Sequence, residues 1–131
     1  TIISNVHQRK EIGGRPALII NNKNYHIENL TQTLITIPWG CEIVWCTLTP
    51  KNVKQNSKIQ KIVCASIYSK PKSRQKSKLF DHISDTFHYL SSKYKGSVDW
   101  ILAGDTNELK LGPILSLDPK MKQIVKICIV K

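Results

Sequence analysis

A carboxylate and a carboxamide, Asp105 and Asn107, stand two positions apart directly after Gly104, where the apolar run Trp100-Ile101-Leu102-Ala103 stops. Asp105 has the chemistry to orient or deprotonate a water, or to touch a metal ion. Asn107 can donate to a phosphoryl oxygen without adding repulsive charge. The run is too short for a helix and is bounded by polar residues, so it reads as a buried strand. Gly104 is expected to turn the backbone where that strand ends, which puts the polar pair at a sheet edge, where α/β proteins commonly place their sites. An Asp/Asn-rich turn with no chemistry is the competing reading.

The elements that must position this pair are strands, then one helix, then strands. Gly13-Gly14 marks a turn, and residues 16–21 and 25–30 read as two strands joined by Asn21-Asn22-Lys23-Asn24, a hairpin. Residues 41–48 are rich in β-formers and make a third strand closed by Pro50; residues 61–68 make a buried fourth. Leu79, Phe80, Ile83, Phe87, Leu90 and Tyr94 then recur at helical spacing, predicting one long helix near 77–95. Ser73 or Ser77 is expected to cap its start and Gly96 its end. Asp81 and Asp85 fall on the solvated face. His82 and His88, six apart, fall on different faces and read as surface or interfacial residues rather than a metal pair. A strand–helix–strand order with short connections implies a crossover and an α/β or α+β sheet. Beyond Asn107 the chain reads as a loop with Pro113, a helical turn near residues 114–117, and a last strand over residues 123–130.

The length of 131 residues suits a single domain, 1–131, able to enclose a core. No apolar run approaches the roughly 20 residues that span a bilayer, so no membrane partner is expected. The polar first residues show neither a signal-peptide core nor an initiator Met, which suggests a start inside a longer protein. Cys41, Cys46, Cys64 and Cys128 sit in apolar stretches without C-x-x-C or zinc-finger spacing, and read as reduced core thiols of an intracellular protein. Trp45 and Trp100 read as core, Trp39 as partly exposed.

Charge is the second signal. Twenty Lys and Arg against nine Asp and Glu leave a net charge of +11, which favours a polyanionic partner. From Ile43 to Phe80 there is no acidic residue, while Lys51, Lys54, Lys58, Lys61, Lys70, Lys72, Arg74, Lys76 and Lys78 are all basic. The densest part, Tyr68 to Lys78, links a strand end to a helix start, where loops carry binding groups. Phosphate neutralisation there by Lys70, Lys72, Arg74 and Lys76 would give salt-dependent nucleic-acid binding. A solvated loop is the alternative.

Taken in order, four pieces resemble the endonuclease/exonuclease/phosphatase superfamily, in particular the endonuclease domains of non-LTR retrotransposons. These are Gly13-Gly14-Arg15-Pro16-Ala17-Leu18-Ile19-Ile20; Glu42-Ile43-Val44-Trp45 with Ile62 to Pro71; Trp100 to Asn107, similar to a Gly-Asp-x-Asn motif; and Leu117 to Val125. The resemblance implies a metal-dependent phosphodiester hydrolase, a DNA endonuclease using Mg2+ or Mn2+. It implies an α/β fold, a partial two-sheet α/β sandwich with mainly antiparallel strands and one long helix. By position, Asp105 matches the residue that aligns or activates the attacking water. Asn107 matches the amide that holds the phosphate and supports that Asp. Tyr68 matches the tyrosine on the scissile phosphate, with Lys70 to Arg74 in the adjoining substrate loop. Thr106 stands where the family often has a large apolar residue.

The family also carries an Asn and a metal-binding Glu on its first strands, and a His-bearing segment near its end. Neither Glu11 nor Glu28 has the right context for the first, and the last histidine is His88. The chain is therefore expected to be the centre of such a domain, with its metal ligands unassigned and reduced or lost hydrolysis. Three readings follow: an endonuclease fragment; a non-enzymatic protein that binds nucleic acid, DNA rather than RNA; and an assembly module that forms a homodimer through open sheet edges. A nucleic-acid partner places the protein inside the cell, the nucleus included.

Overall fold

The computed structural model describes residues 1–4, 15–52, 60–72, 74–95, 98–107 and 112. In chain order the elements are β1 (Ile2–Ser4), β2 (Ala17–Ile19), β3 (Tyr25–Asn29), a one-turn helix α1 (Leu30–Thr33), β4 (Glu42–Pro50), β5 (Lys61–Tyr68), the long helix α2 (Lys76–Lys93) and β6 (Val98–Asp105). They build two sheets. One is the antiparallel pair β1-β2; the other runs β3-β4-β5-β6, antiparallel except for the parallel β5–β6 pair that α2 connects.

The burial of the central strands explains their composition. Residues 42–48 of β4 are buried without interruption. Ile43 and Trp45 join Val63, Ala65, Ile67, Trp100 and Leu102 in the core beneath α2. Val44, Cys46 and Leu48 point the other way, with Cys64 and Ile3, toward the two-stranded sheet. A strand covered on both faces has no solvated side to display, hence the unbroken apolar run of residues 43–46 rather than alternation. Helix α2 supplies Leu79, Ile83, Phe87 and Leu90 at 4-, 4- and 3-residue steps. Each such side chain, fully buried, contributes about 1.5–3 kcal/mol relative to exposure.

Mixed α/β content, the long helix and the crossover agree with the sequence expectations; other details differ. Residues 16–21 and 25–30 do not form a hairpin. β2 pairs with β1, and β3 pairs with β4, so the turn at Asn22-Lys23 passes the chain between sheets. Leu30 begins α1, capped by the Asn29 side chain accepting from Thr31 N at 3.1 Å. Ser77 lies inside α2, not at its cap: the N-cap is Gln75, which makes no side-chain capping bond. At the other end Lys95 takes the left-handed conformation (φ 48°). Gly13-Gly14, Ser73, Gly96, Pro113, Cys128 and the expected elements at 114–117 and 123–130 lie outside the described residues.

Cys41, Cys46 and Cys64 are buried and free. Cys46 and Cys64 are register partners, and the hydrogen bond between their thiols together with burial pushes the Cys46 thiol up. No helix among the described residues is long and apolar enough to cross a membrane.

Candidate functional site

The register of the four-stranded sheet assembles the site. Glu42 at the start of β4 pairs with Tyr68 at the end of β5, and Tyr68 pairs with Asp105 at the end of β6. Three residues 26 and 37 positions apart in sequence thus form one row along a single edge. Directly opposed residues share a face, so the three side chains lie on one face of the sheet at this edge.

Gly104 makes this edge possible, though not by ending the strand. β6 continues through Asp105, and Gly104 sits inside it with φ 136° opposite Ile67. A Cβ there would overlap the Ile67 carbonyl. The glycine is a point of close backbone approach. Beyond it, Ser69 N donates to Asp105 O at 2.8 Å and extends the pairing by one residue.

Asn107 closes the arrangement. Its backbone N donates to Asp105 Oδ1 at 3.1 Å, and its Nδ2 donates to Ser69 O at 2.5 Å. The turn after β6 is thereby tied to the end of β5. Asn107 tolerates φ 44° because its short polar side chain offsets the cost of the left-handed conformation. The amide expected to hold a phosphate directs one of its two N–H groups to the Ser69 carbonyl, and the Asp105 carboxylate is held by the Asn107 main chain. Thr106 between them is buried, 8% exposed.

The basic run divides between the two ends of the sheet. Lys70, Lys72, Arg74, Lys76 and Lys78 lie on the loop from Tyr68 and on the first turn of α2, at the Asp105 edge. Lys72 takes φ 54°, and Lys78 Nζ donates to Trp39 O at 3.1 Å. Lys51 and Lys61 belong to the opposite edge. Lys51 Nζ donates to Asn22 O at 2.8 Å, and Lys61 Nζ lies 5.3 Å over the Tyr94 ring. Lys54 and Lys58 lie outside the described residues.

The sequence reading missed Glu42 and Ser69 as site residues. Glu42 is an acid at the head of an apolar strand, 8% exposed, and that context was the available signal. Ser69 is 2% exposed, and its Oγ has no hydrogen-bond partner among the described residues. Nothing in its type marks it; only the register does.

His82 is interfacial, as expected, and more deeply set than its position suggests. It is buried between α2 and the sheet, where its Nε2 accepts the Trp45 Nε1 proton at 3.0 Å. Burial holds its pKa down to about 4, against a small opposing effect from Asp85. His88 is exposed, Trp39 is 70% exposed, and Trp45 and Trp100 are core.

Among the described residues no group of three or more His, Cys, Asp or Glu is placed to hold a metal ion. Asp105 offers carboxylate oxygens of the hard type Mg2+ prefers, but its neighbour in the row is a phenol, and Glu42 stands two strands away. These described donors do not compose a magnesium site, so no chemical step below passes through a metal. No family model, curated protein or solved structure matches the chain.

Proposed function

We propose that the Tyr68–Asp105 edge is a phosphodiester site of the endonuclease/exonuclease/phosphatase type, acting on nucleic acid, DNA before RNA. The observation that carries the reading is the pairing of Tyr68 with Asp105 at adjacent strand ends, with the loop of Lys70, Lys72, Arg74 and Lys76 leaving from that same point. The roles follow from the chemistry of each group. The Asp105 carboxylate accepts a proton from an attacking water or orients it. The Tyr68 hydroxyl donates to a phosphoryl oxygen, and the second N–H of Asn107 is available for the same purpose. The cations neutralise flanking phosphates. Mg2+ or Mn2+ belongs to this reading through the family resemblance, and would need donors beyond those described. An intracellular setting, the nucleus included, follows from the substrate.

The test is plasmid nicking in Mg2+. We expect Asp105→Ala to abolish whatever cleavage the chain supports; nicking that persists in that variant would remove Asp105 from the chemistry. A second reading, nucleic-acid binding without hydrolysis, is favoured by the gathering of five cations at one edge. It expects tight, salt-sensitive DNA binding that Asp105→Ala leaves intact. The expected homodimer through sheet edges is a proposal of its own, and sedimentation as a monomer at every concentration would end it.

A further inference from the structure

A small recess lies on the α2 side of the same edge, lined by Cys41, Glu42, Ser69, Lys70, Gln75 and Leu79. It is open to solvent on one side and has room for about one water-sized group. Two features bear on it. Ser69, 2% exposed, is in the lining, and its Oγ has no hydrogen-bond partner among the described residues. A buried hydroxyl left so is costly unless a water or ligand completes it. The other feature is the start of α2. Its N-cap Gln75 makes no side-chain capping bond, and its first turn holds no acidic residue. Leu79 N donates to Gln75 O at 2.9 Å, the first backbone bond of the helix among the described residues. Preceding amides of an 18-residue helix carry the positive end of its dipole.

We propose that this recess is an anion subsite, in which one oxygen of a phosphate group seats against Ser69 Oγ at the head of α2. The proposal rests on the phosphodiester reading for its biological ligand: a phosphate neighbouring the one at Asp105 on the same polynucleotide strand. Lys70 stands in the lining, and Lys72, Arg74, Lys76 and Lys78 belong to the same loop and first turn. Lys78 reaches the recess electrostatically, since its charge acts on the Cys41 thiol, which burial pushes up. Glu42 opposes an anion. Asp105, one strand beyond Tyr68, adds a second carboxylate; two against five cations do not reverse the sign of the field, but they weaken binding. A second phosphate contact beside the first selects a polynucleotide over a small phosphate ester.

The experiment is titration of the ¹⁵N-labelled chain with inorganic phosphate at constant ionic strength, following backbone amides. The expected result is saturable shifts at Ser69, Ser77, Lys78 and Leu79. Ser69→Ala should weaken binding about fivefold or more, the effect of losing a hydrogen bond to a charged group. Glu42→Gln should tighten it about threefold by removing a like charge. Shifts that never saturate, or that Ser69→Ala leaves untouched, mean diffuse counter-ion attraction and overturn the subsite. If that happens while nicking remains Asp105-dependent, the subsite falls alone. Saturable, Ser69-dependent binding in a chain that nicks no DNA upholds the subsite and removes the hydrolase.

Discussion

His82 and Ser69 are both buried polar residues on the α2 side of the sheet, and they differ in one respect. His82 accepts the Trp45 indole proton, whereas Ser69 Oγ has no partner among the described residues. The first belongs to a dense core of Trp45, Ile83, Phe87 and Trp100; the second lies at the strand-end edge, beside Glu42, Tyr68 and Lys70. A satisfied polar pair in a core is structural, and its removal is felt in stability. An unsatisfied hydroxyl at a cationic edge is felt in what binds there. Two buried polar groups of similar exposure therefore have opposite expected phenotypes.

The largest effect should come where the edge is built. Gly104→Val must fit a side chain at φ 136° against the Ile67 carbonyl. The combined strain and overlap should cost about 3 kcal/mol or more, read as loss of a cooperative urea transition. Native-like stability would mean that β5 and β6 do not approach as described.

His82 gives the next. Its folded pKa, about 4, lies below the ordinary value of 6.5, so the unfolded chain binds the proton more readily. Its contribution is thus fully present above about pH 6.5 and lost as pH falls toward 4, where protonation also removes the acceptor for Trp45 Nε1. The difference corresponds to about 3 kcal/mol. Urea midpoints should drop through that window in the wild type and stay flatter in His82→Phe. An unchanged slope in the variant would show that His82 does not carry the acid sensitivity.

Asn107→Ala should cost less, about 1–2 kcal/mol, by removing the bond to the Ser69 carbonyl and placing Ala at φ 44°. Its second signature separates edge from core: the Ser69 amide should exchange faster while the Trp45 amide does not. Equal loosening of both would erase the distinction.

The sequence made the fold legible where periodicity was strong. Residues 61–68 became β5 with the expected limits, and the Leu79–Leu90 stripe became the buried face of α2. It failed at the short elements, because three-residue strands and a one-turn helix are too brief to show a period. The supposed hairpin failed for a different reason. Turn chemistry at Asn22-Lys23 specifies a reversal, not which strand each arm then pairs with. At the site, Asp105, Asn107 and Tyr68 were visible as residue types, but their adjacency is a product of register. Glu42 and Ser69 were invisible because their significance is wholly positional. Gly104 was noticed for its freedom to turn, while the structure uses its missing side chain.

The smallest change in stability accompanies the most direct test. Lys70, Lys72, Arg74 and Lys76 lie at the Asp105 edge, and Lys51 and Lys61 at the opposite one. Affinity for a short DNA duplex, measured by anisotropy across a salt series, should fall with a steep log–log slope. Changing the four edge residues to Gln should shallow that slope by about three to four, since each phosphate no longer neutralised by a cation removes about 0.9 from it. Changing Lys51 and Lys61 to Gln should leave it nearly unchanged. Equal effects from the two sets, or no binding even at low salt, would contradict a phosphate-binding edge at Tyr68 and Asp105.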